Sequence, residues 1–266
     1  MKRKAFFASF FRSLLVVLAG FGILHIIIGT RASETDTPQK GVPVAKPGIE
    51  DTKTLLFCVG DEFHYFFLFK FDALQNKIGI GGISPAYEFS FGGSMADSLK
   101  KAGVKQCLLD LQQEFGISID YYLQCSWSQL GDMTGGLTEF GIEELGRGLP
   151  PGIKNYLLKG AEKLDGRSLA NAARKAEGLL DNRLGLAFLN EAAWCTIRYN
   201  LENLPDECGG AVKDDYSRLI TNLNTNSINR LDRIIKFLEI SHVDYPRQVI
   251  MKGDRDRQEK IDTITS

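Results

Sequence analysis

Side chains that could do chemistry are few in this sequence. Asp61 closes a short apolar run, and Arg174, Lys175 and Arg183 lie along a later helical stretch. A carboxylate can hold a hard divalent cation, and guanidinium or ammonium groups can neutralise phosphoryl oxygens, so phosphate handling is the chemistry this set would support if the fold gathered it. Each also has a plainer role: Asp61 as a strand-end cap, Arg174 and Lys175 as a solvated helix face. No other reaction announces itself, because there is no GxSxG, HExxH, P-loop or Rossmann glycine pattern. Cys58, Cys107, Cys125, Cys195 and Cys208 show no CxxC or other metal spacing. They read as buried free thiols, with a single Cys195–Cys208 disulfide as the alternative.

The elements that must position these residues alternate between strands and helices. Thr54 to Val59, the aromatic run Phe63 to Phe71, and Lys77 to Ile83 suit buried strands. In the third of these, Gly79, Gly81 and Gly82 mark a bulge or a close backbone approach. Ser94 to Phe115 has a helical rhythm with Gly116 as its stop, and Tyr121 to Cys125 reads as another strand. Helical spacing returns after Asp165-Gly166 and from Arg183 to Leu204. A further amphipathic helix carries Ile228, Leu231, Ile234, Ile235 and Leu238, with Asn226 or Ser227 as its cap, and Gln248 to Met251 supplies a last strand. The pattern predicts an α/β fold, a layered α/β/α domain with a central mixed sheet.

The 266 residues, 44% of them hydrophobic, suffice for one large domain plus an anchor. Ser13 to Thr30 holds no charged residue and follows Lys2, Arg3, Lys4 and Arg12. Its length corresponds to about 27 Å of helix, near the thickness of a bilayer's hydrocarbon core. The basic N-terminus predicts a cytoplasmic start, one N-terminal transmembrane helix and an extracytoplasmic body. A cleavable signal peptide would have a shorter apolar region, and Gly29-Thr30-Arg31-Ala32 lacks an A-x-A site. The expected organisation is an anchor over residues 1–31, a flexible stalk over 32–52, a domain over 53–253 and a charged tail over 254–266. Beyond residue 31 the chain carries 27 basic against 33 acidic residues, a formal net charge of −6. That balance argues against a nucleic-acid partner.

Several segments in order resemble one family. They are Leu55-Leu56-Phe57-Cys58-Val59-Gly60-Asp61, His64 to Asp72, Phe115-Gly116-Ile117-Ser118-Ile119-Asp120-Tyr121-Tyr122 and Leu130-Gly131-Asp132-Met133-Thr134-Gly135-Gly136-Leu137. Leu149-Pro150-Pro151-Gly152, Leu164-Asp165-Gly166-Arg167-Ser168-Leu169 and Leu219-Ile220-Thr221-Asn222-Leu223 continue the series. This run is similar to the LytR-CpsA-Psr family of cell-envelope glycopolymer transferases. The resemblance implies a membrane-anchored extracytoplasmic domain with an apolar tunnel for a polyprenyl chain. In active members a magnesium-assisted pyrophosphate site transfers a glycopolymer phosphate to peptidoglycan.

The family's charged positions are largely replaced here. Its Gly-Arg-x-x-Arg-Gln reads Gly185-Leu186-Ala187-Phe188-Leu189-Asn190, its Pro-Arg-Asp turn reads Pro85-Ala86-Tyr87, and its second-strand Asp appears as His64. Its basic pair falls near Ala173 and Lys175, which leaves Arg174 and Lys175 shifted by one helical step of about 100°. Arg183 lies three residues before Leu186. The resemblance therefore implies a catalytically impaired member with no catalytic residue and no resident cofactor or metal. Such a protein would bind a polyprenyl-linked lipid or an active relative at the membrane. The alternative is a divergent phosphotransferase, with magnesium and a pocket rebuilt from Asp61, Arg174, Lys175 and Arg183. A third reading is an adaptor or sensor with no lipid cavity.

Overall fold

Apolar side chains on both faces of three consecutive strands set the architecture. The computed structural model describes residues 47–135, 140–141, 151–159, 163–164, 166–177, 182–241, 243 and 249–251. The expected anchor, most of the stalk and the tail lie outside the described residues. Among the described residues no helix is long and apolar enough to cross a membrane. Strand β1 (Thr52–Gly60) begins at the last residue expected to be stalk, and pairs antiparallel with β2 (His64–Asp72) from Thr52↔Asp72 to Gly60↔His64. Strand β2 pairs antiparallel with β3 (Lys77–Ile83), while β4 (Tyr121–Cys125) lies parallel to β1 on its other side. The short β7 (Ile220–Thr221) and β8 (Val249–Met251) flank this group in a mixed six-stranded sheet ordered β7-β4-β1-β2-β3-β8. A separate small pair joins β5 (Phe140–Gly141) to β6 (Lys163–Leu164).

The period-2 alternation of strand side chains divides these residues between two clusters. Leu56, Cys58, Phe66 and Leu68 face helices α1 (Met95–Ala102) and α2 (Val104–Phe115), where Met95, Val104, Cys107 and Leu111 complete one core. Val59, Tyr65, Phe67, Phe69 and Phe71 belong to the other, with α3 (Trp127–Thr134), α5 (Gly166–Glu177), α6 (Asn182–Asn200), α7 (Leu204–Asp214) and α8 (Thr225–Ile240). A further helix, α4 (Pro151–Leu157), contributes Leu157 to this second core. Helices thus cover both faces of the sheet, as expected for a strand set with no polar side.

Three details differ from the sequence expectation. The helix expected over 94–115 is two helices, because Gly103 adopts φ 76°, a conformation that ends α1 and that a side chain would strain. The helix expected from Arg183 to Leu204 ends at Asn200, and a new one starts with Pro205 in its first turn. The cap of α8 is neither Asn226 nor Ser227 but Asn224, whose side chain accepts from Ser227 N at 3.0 Å. All five cysteines are free thiols, so the Cys195–Cys208 alternative does not hold; Cys208 instead donates to the Met133 carbonyl at 3.5 Å.

Polar side chains clamp the strand ends. Asp120 accepts from Thr54 N at 2.9 Å and pairs with Lys53 at 2.8 Å, tying the start of β4 to β1. Asn222 accepts from Tyr122 N at 2.8 Å and donates to the Asp120 carbonyl at 3.0 Å, which holds β7 on the sheet edge. Helix α6 meets the sheet through Leu186 and Asn190, which approach Gly82 of β3, and Phe188 of the same helix is fully buried. We expect Phe188→Ala to lower unfolding free energy by about 3–5 kcal/mol in urea titration; a loss under about 1 kcal/mol would show that α6 does not pack as described.

Candidate functional site

On the face bearing Phe57, Phe67 and Phe69, helices and sheet do not close against one another. They leave a cavity of about 230 Å³ between the sheet and α3, α6, α7 and α8. Its floor runs from Leu55 to Val59 along β1, about 13 Å at strand rise. The three phenylalanine rings form a continuous surface, with centroids 6.1–6.4 Å apart. Trp127 stands at the Val59 end, where it packs on Tyr65, the β2 partner of Val59, at 6.1 Å; Met133 and Leu189 also line the cavity.

Four polar side chains line the cavity, and each has a partner within the protein. Thr134 and Thr196 donate to the Leu130 and Ala192 carbonyls of their own helices at 2.7 and 2.8 Å. Cys208 donates to Met133 O, and burial pushes its thiol up to about 12, so it stays protonated at neutral pH. Asp232 is held by Lys236 at 2.9 Å.

Two of the charged candidates meet beyond the end of β1. Gly60 has φ 151°, and a Cβ there would stand 1.8 Å from the Phe63 carbonyl oxygen, so only glycine permits the tight turn into β2. That turn carries Asp61 outward to Arg174 of α5, at 3.9 Å. Both side chains are about half exposed, and water screens such a pair to within about 1 kcal/mol. His64 follows at the foot of β2, half-buried; burial lowers its pKa, with Asp61 partly opposing, and the imidazole is neutral at pH 7. Lys175 is exposed one helical step from Arg174. Arg183 is in the first turn of α6, and its side chain lies outside the described residues. Asp61 and Arg174 are therefore brought together, and Lys175 is not shown to join them.

At the positions where the resemblance implied cations, packing has taken over. Leu186, Leu189 and Asn190 are 1%, 5% and 0% exposed. A Cβ at Gly82 would meet both Leu186 Cδ1 and Asn190 Oδ1 at 3.2 Å, so the expected close approach at the β3 glycines is to α6. Gly185 is required for a related reason: a Cβ there would meet the Tyr65 hydroxyl at 2.9 Å and the Ala176 carbonyl at 3.1 Å. Tyr87, at the turn that would carry the family's charges, is buried, stacks edge-on with Phe89 at 5.7 Å and donates to Glu114 at 3.1 Å. Among the described residues no three His, Cys, Asp or Glu side chains are grouped to hold a metal ion. Asp61, already beside a guanidinium, is followed in the same exposed turn by Glu62.

No protein-family model and no curated relative matches the sequence. Solved structures do. A putative transcription regulator from Eubacterium siraeum is similar with TM-score 0.60 at 12% identity, over 85% of this chain and 93% of its own. Lin1025 from Listeria innocua gives 0.55 at 13%, over 76% and 83%. TagT, solved from B. subtilis, gives 0.57 at 12% in its structure bound to LIIa-WTA, over 77% and 80%. The chain has the LytR-CpsA-Psr fold. At these identities the likeness carries the fold alone, and on that LytR-CpsA-Psr scaffold the chemistry must be argued from this chain's own residues.

The floor of the cavity was not foreseen from the sequence, although Phe67, Phe69 and Phe71 at intervals of two already placed three rings on one face. His64 supplies a test. Its folded-state pKa lies below its unfolded value, so the native state resists protonation and stability falls as the pH drops through the unfolded value, about 6.5. We expect thermal unfolding midpoints to decline between about pH 7 and 5, and to decline less in His64→Gln. Parallel profiles would remove His64 as a titrating group.

Proposed function

We propose that this chain is a membrane-anchored, extracytoplasmic protein of cell-envelope assembly that holds a polyprenyl-type lipid chain, or supports an active relative, without transferring phosphate itself. The observation that carries this reading is the apolar cavity under α6, with Leu189 in its wall where the resemblance implies an arginine. Guanidinium groups or metal-bound water would be needed to stabilise charge on a transferring phosphoryl group. The apolar Ser13 to Thr30 run, led by basic residues, supports the anchor and the outward orientation. TagT bound to LIIa-WTA supports a lipid-linked ligand by analogy of fold. The formal charge of −6 beyond residue 31 weighs against the nucleic-acid role that a transcription regulator would need.

One observation favours a second reading. The Asp61–Arg174 pair places a carboxylate and a guanidinium at the end of the cavity's floor strand, as a divergent phosphotransferase with a rebuilt pocket would require.

The two readings separate in one set of measurements on the full-length protein purified from membranes. Lipid extraction followed by mass spectrometry should recover a long-chain isoprenoid, and Ala193→Trp, which fills the cavity, should reduce it roughly tenfold or more with the circular dichroism spectrum unchanged. Incubation with a lipid-linked glycopolymer pyrophosphate and magnesium should release no pyrophosphate-derived product. Turnover that disappears in Asp61→Ala and Arg174→Ala would establish the second reading instead.

A further inference from the structure

Three large apolar side chains at one end of the domain face outward. Ile49 is 81% exposed, Leu74 55% and Ile240 78%. Scattered singly, such residues are ordinary on a protein surface, whereas a group of them marks a place that something else covers. These three are a group, because hydrogen bonds join the segments that carry them. Ile49 belongs to the short 3-10 turn Ile49–Asp51 before β1, and the Asp51 carbonyl accepts at 3.4 Å from Ala73 N, next to Leu74 in the β2–β3 turn. In the same turn Asn76 donates from Nδ2 to the Ser241 carbonyl at 2.8 Å, one residue beyond Ile240 at the end of α8.

Polar groups at this end hold the turns in place. Asp51 accepts from Gly48 N at 3.0 Å, and the buried Asp72 accepts from Gln75 N at 2.9 Å and from the Thr52 hydroxyl at 3.0 Å. The apolar side chains are thus presented on a fixed frame. Their exposed sequence neighbours Glu50 and Glu239 are acidic, so what the patch offers is apolar contact and not attraction for anionic headgroups.

The occupant follows from where the chain enters the domain. On the membrane-anchored reading above, a bilayer holds the apolar Ser13 to Thr30 run, and residues 31–46 connect that run to Pro47, two residues before Ile49. Fully extended, a segment of that length reaches at most about 55 Å. The bilayer is therefore never further than this from the Ile49 end, and its high local concentration promotes a contact too weak to form between separate partners. The opposite end of the β1–β2 hairpin, with Asp61 and Arg174, stands about 27 Å along β1 at strand rise.

Resting on the membrane-anchored part of the proposed function, we infer that the end formed by Ile49, Leu74 and Ile240 docks on the outer surface of the bilayer, with these side chains at the boundary of headgroups and acyl chains. The sheet then stands with its Asp61 end away from the lipid.

The test places a thiol-reactive fluorophore on full-length Leu74→Cys protein reconstituted into phosphatidylcholine vesicles. The native thiols are buried or, at Cys208, held protonated, and unsubstituted protein measures their background. A nitroxide near the top of the lipid acyl chains should quench this label about threefold or more above the same label on Phe63→Cys, which is 56% exposed in the turn at the far end of the hairpin. Adding Ile49→Ser and Ile240→Ser should remove about half or more of the quenching, with the circular dichroism spectrum unchanged. About 1 M salt should leave it in place, because apolar contact is not screened. Equal or stronger quenching at Phe63→Cys overturns the inference, as does quenching that salt abolishes. Quenching that disappears as the protein is diluted in lipid shows that Leu74 meets a second copy, and overturns it too. Protein that floats with the vesicles while its Leu74→Cys label is unquenched overturns the docking alone. Protein that does not float removes the anchor, and this inference falls with it.

Discussion

The structure depends on a sheet whose central strands are apolar on both faces. A strand such as β2 cannot be left with one side in water, because Phe66 and Leu68 point one way and Tyr65, Phe67 and Phe69 the other. Two layers of helices are therefore obligatory, and the two layers are unequal. Helices α1 and α2 form a compact cover in which Leu56, Cys58, Phe66, Met95, Cys107 and Leu111 are essentially inaccessible. On the opposite face longer helices cross a floor of large rings and bury the sheet without filling the space above it. The cavity is thus a consequence of how one face is covered, and its walls are the inner faces of elements the fold needs in any case.

The polar residues that survive in the family-like segments serve this scaffold. Asp120 and Asn222 pin β4 between β1 and β7, and Ser126 caps α3 in a reciprocal box with Gln129. Glu114 accepts from the Tyr87 hydroxyl and from both the backbone and the hydroxyl of Ser90, which fixes the loop after β3. Each satisfies groups that would otherwise be stranded at a strand or helix end. Selection for these bonds is selection for the fold. It says nothing about turnover.

Strands β1 to β4 and the stripes of α2, α5, α6 and α8 were legible in the sequence because their periodicity follows from burial on a regular element. What was hidden depended on conformation or distance. Gly103 does not announce that it will take a positive φ and split one helical rhythm into two. Asn224 and Asn226 are equally good caps by residue type, and the choice between them rests on where the chain leaves β7. The apolar space was implied by the resemblance but not by the residue pattern, because the same alternating phenylalanines line a filled core or an open one. The pairing of Asp61 with Arg174 needs the β1–β2 turn and α5 to meet, and neither local sequence encodes that meeting.

The packing at positions 186 and 189 also bears on whether a guanidinium could be introduced there by single changes. A guanidinium at position 186 would have to occupy the space where Leu186 touches Gly82, with no acceptor for its donors among the apolar groups of that contact. At position 189 it would enter the cavity wall, where the hydroxyls, the thiol and the carboxylate are already committed. Burying an unpaired guanidinium costs several kcal/mol, comparable to a large share of a domain's stability. Packing at these two positions thus opposes the introduction of a guanidinium. The fold is carried by both faces of the sheet, whereas the charged pair Asp61 and Arg174 lies at one end of it.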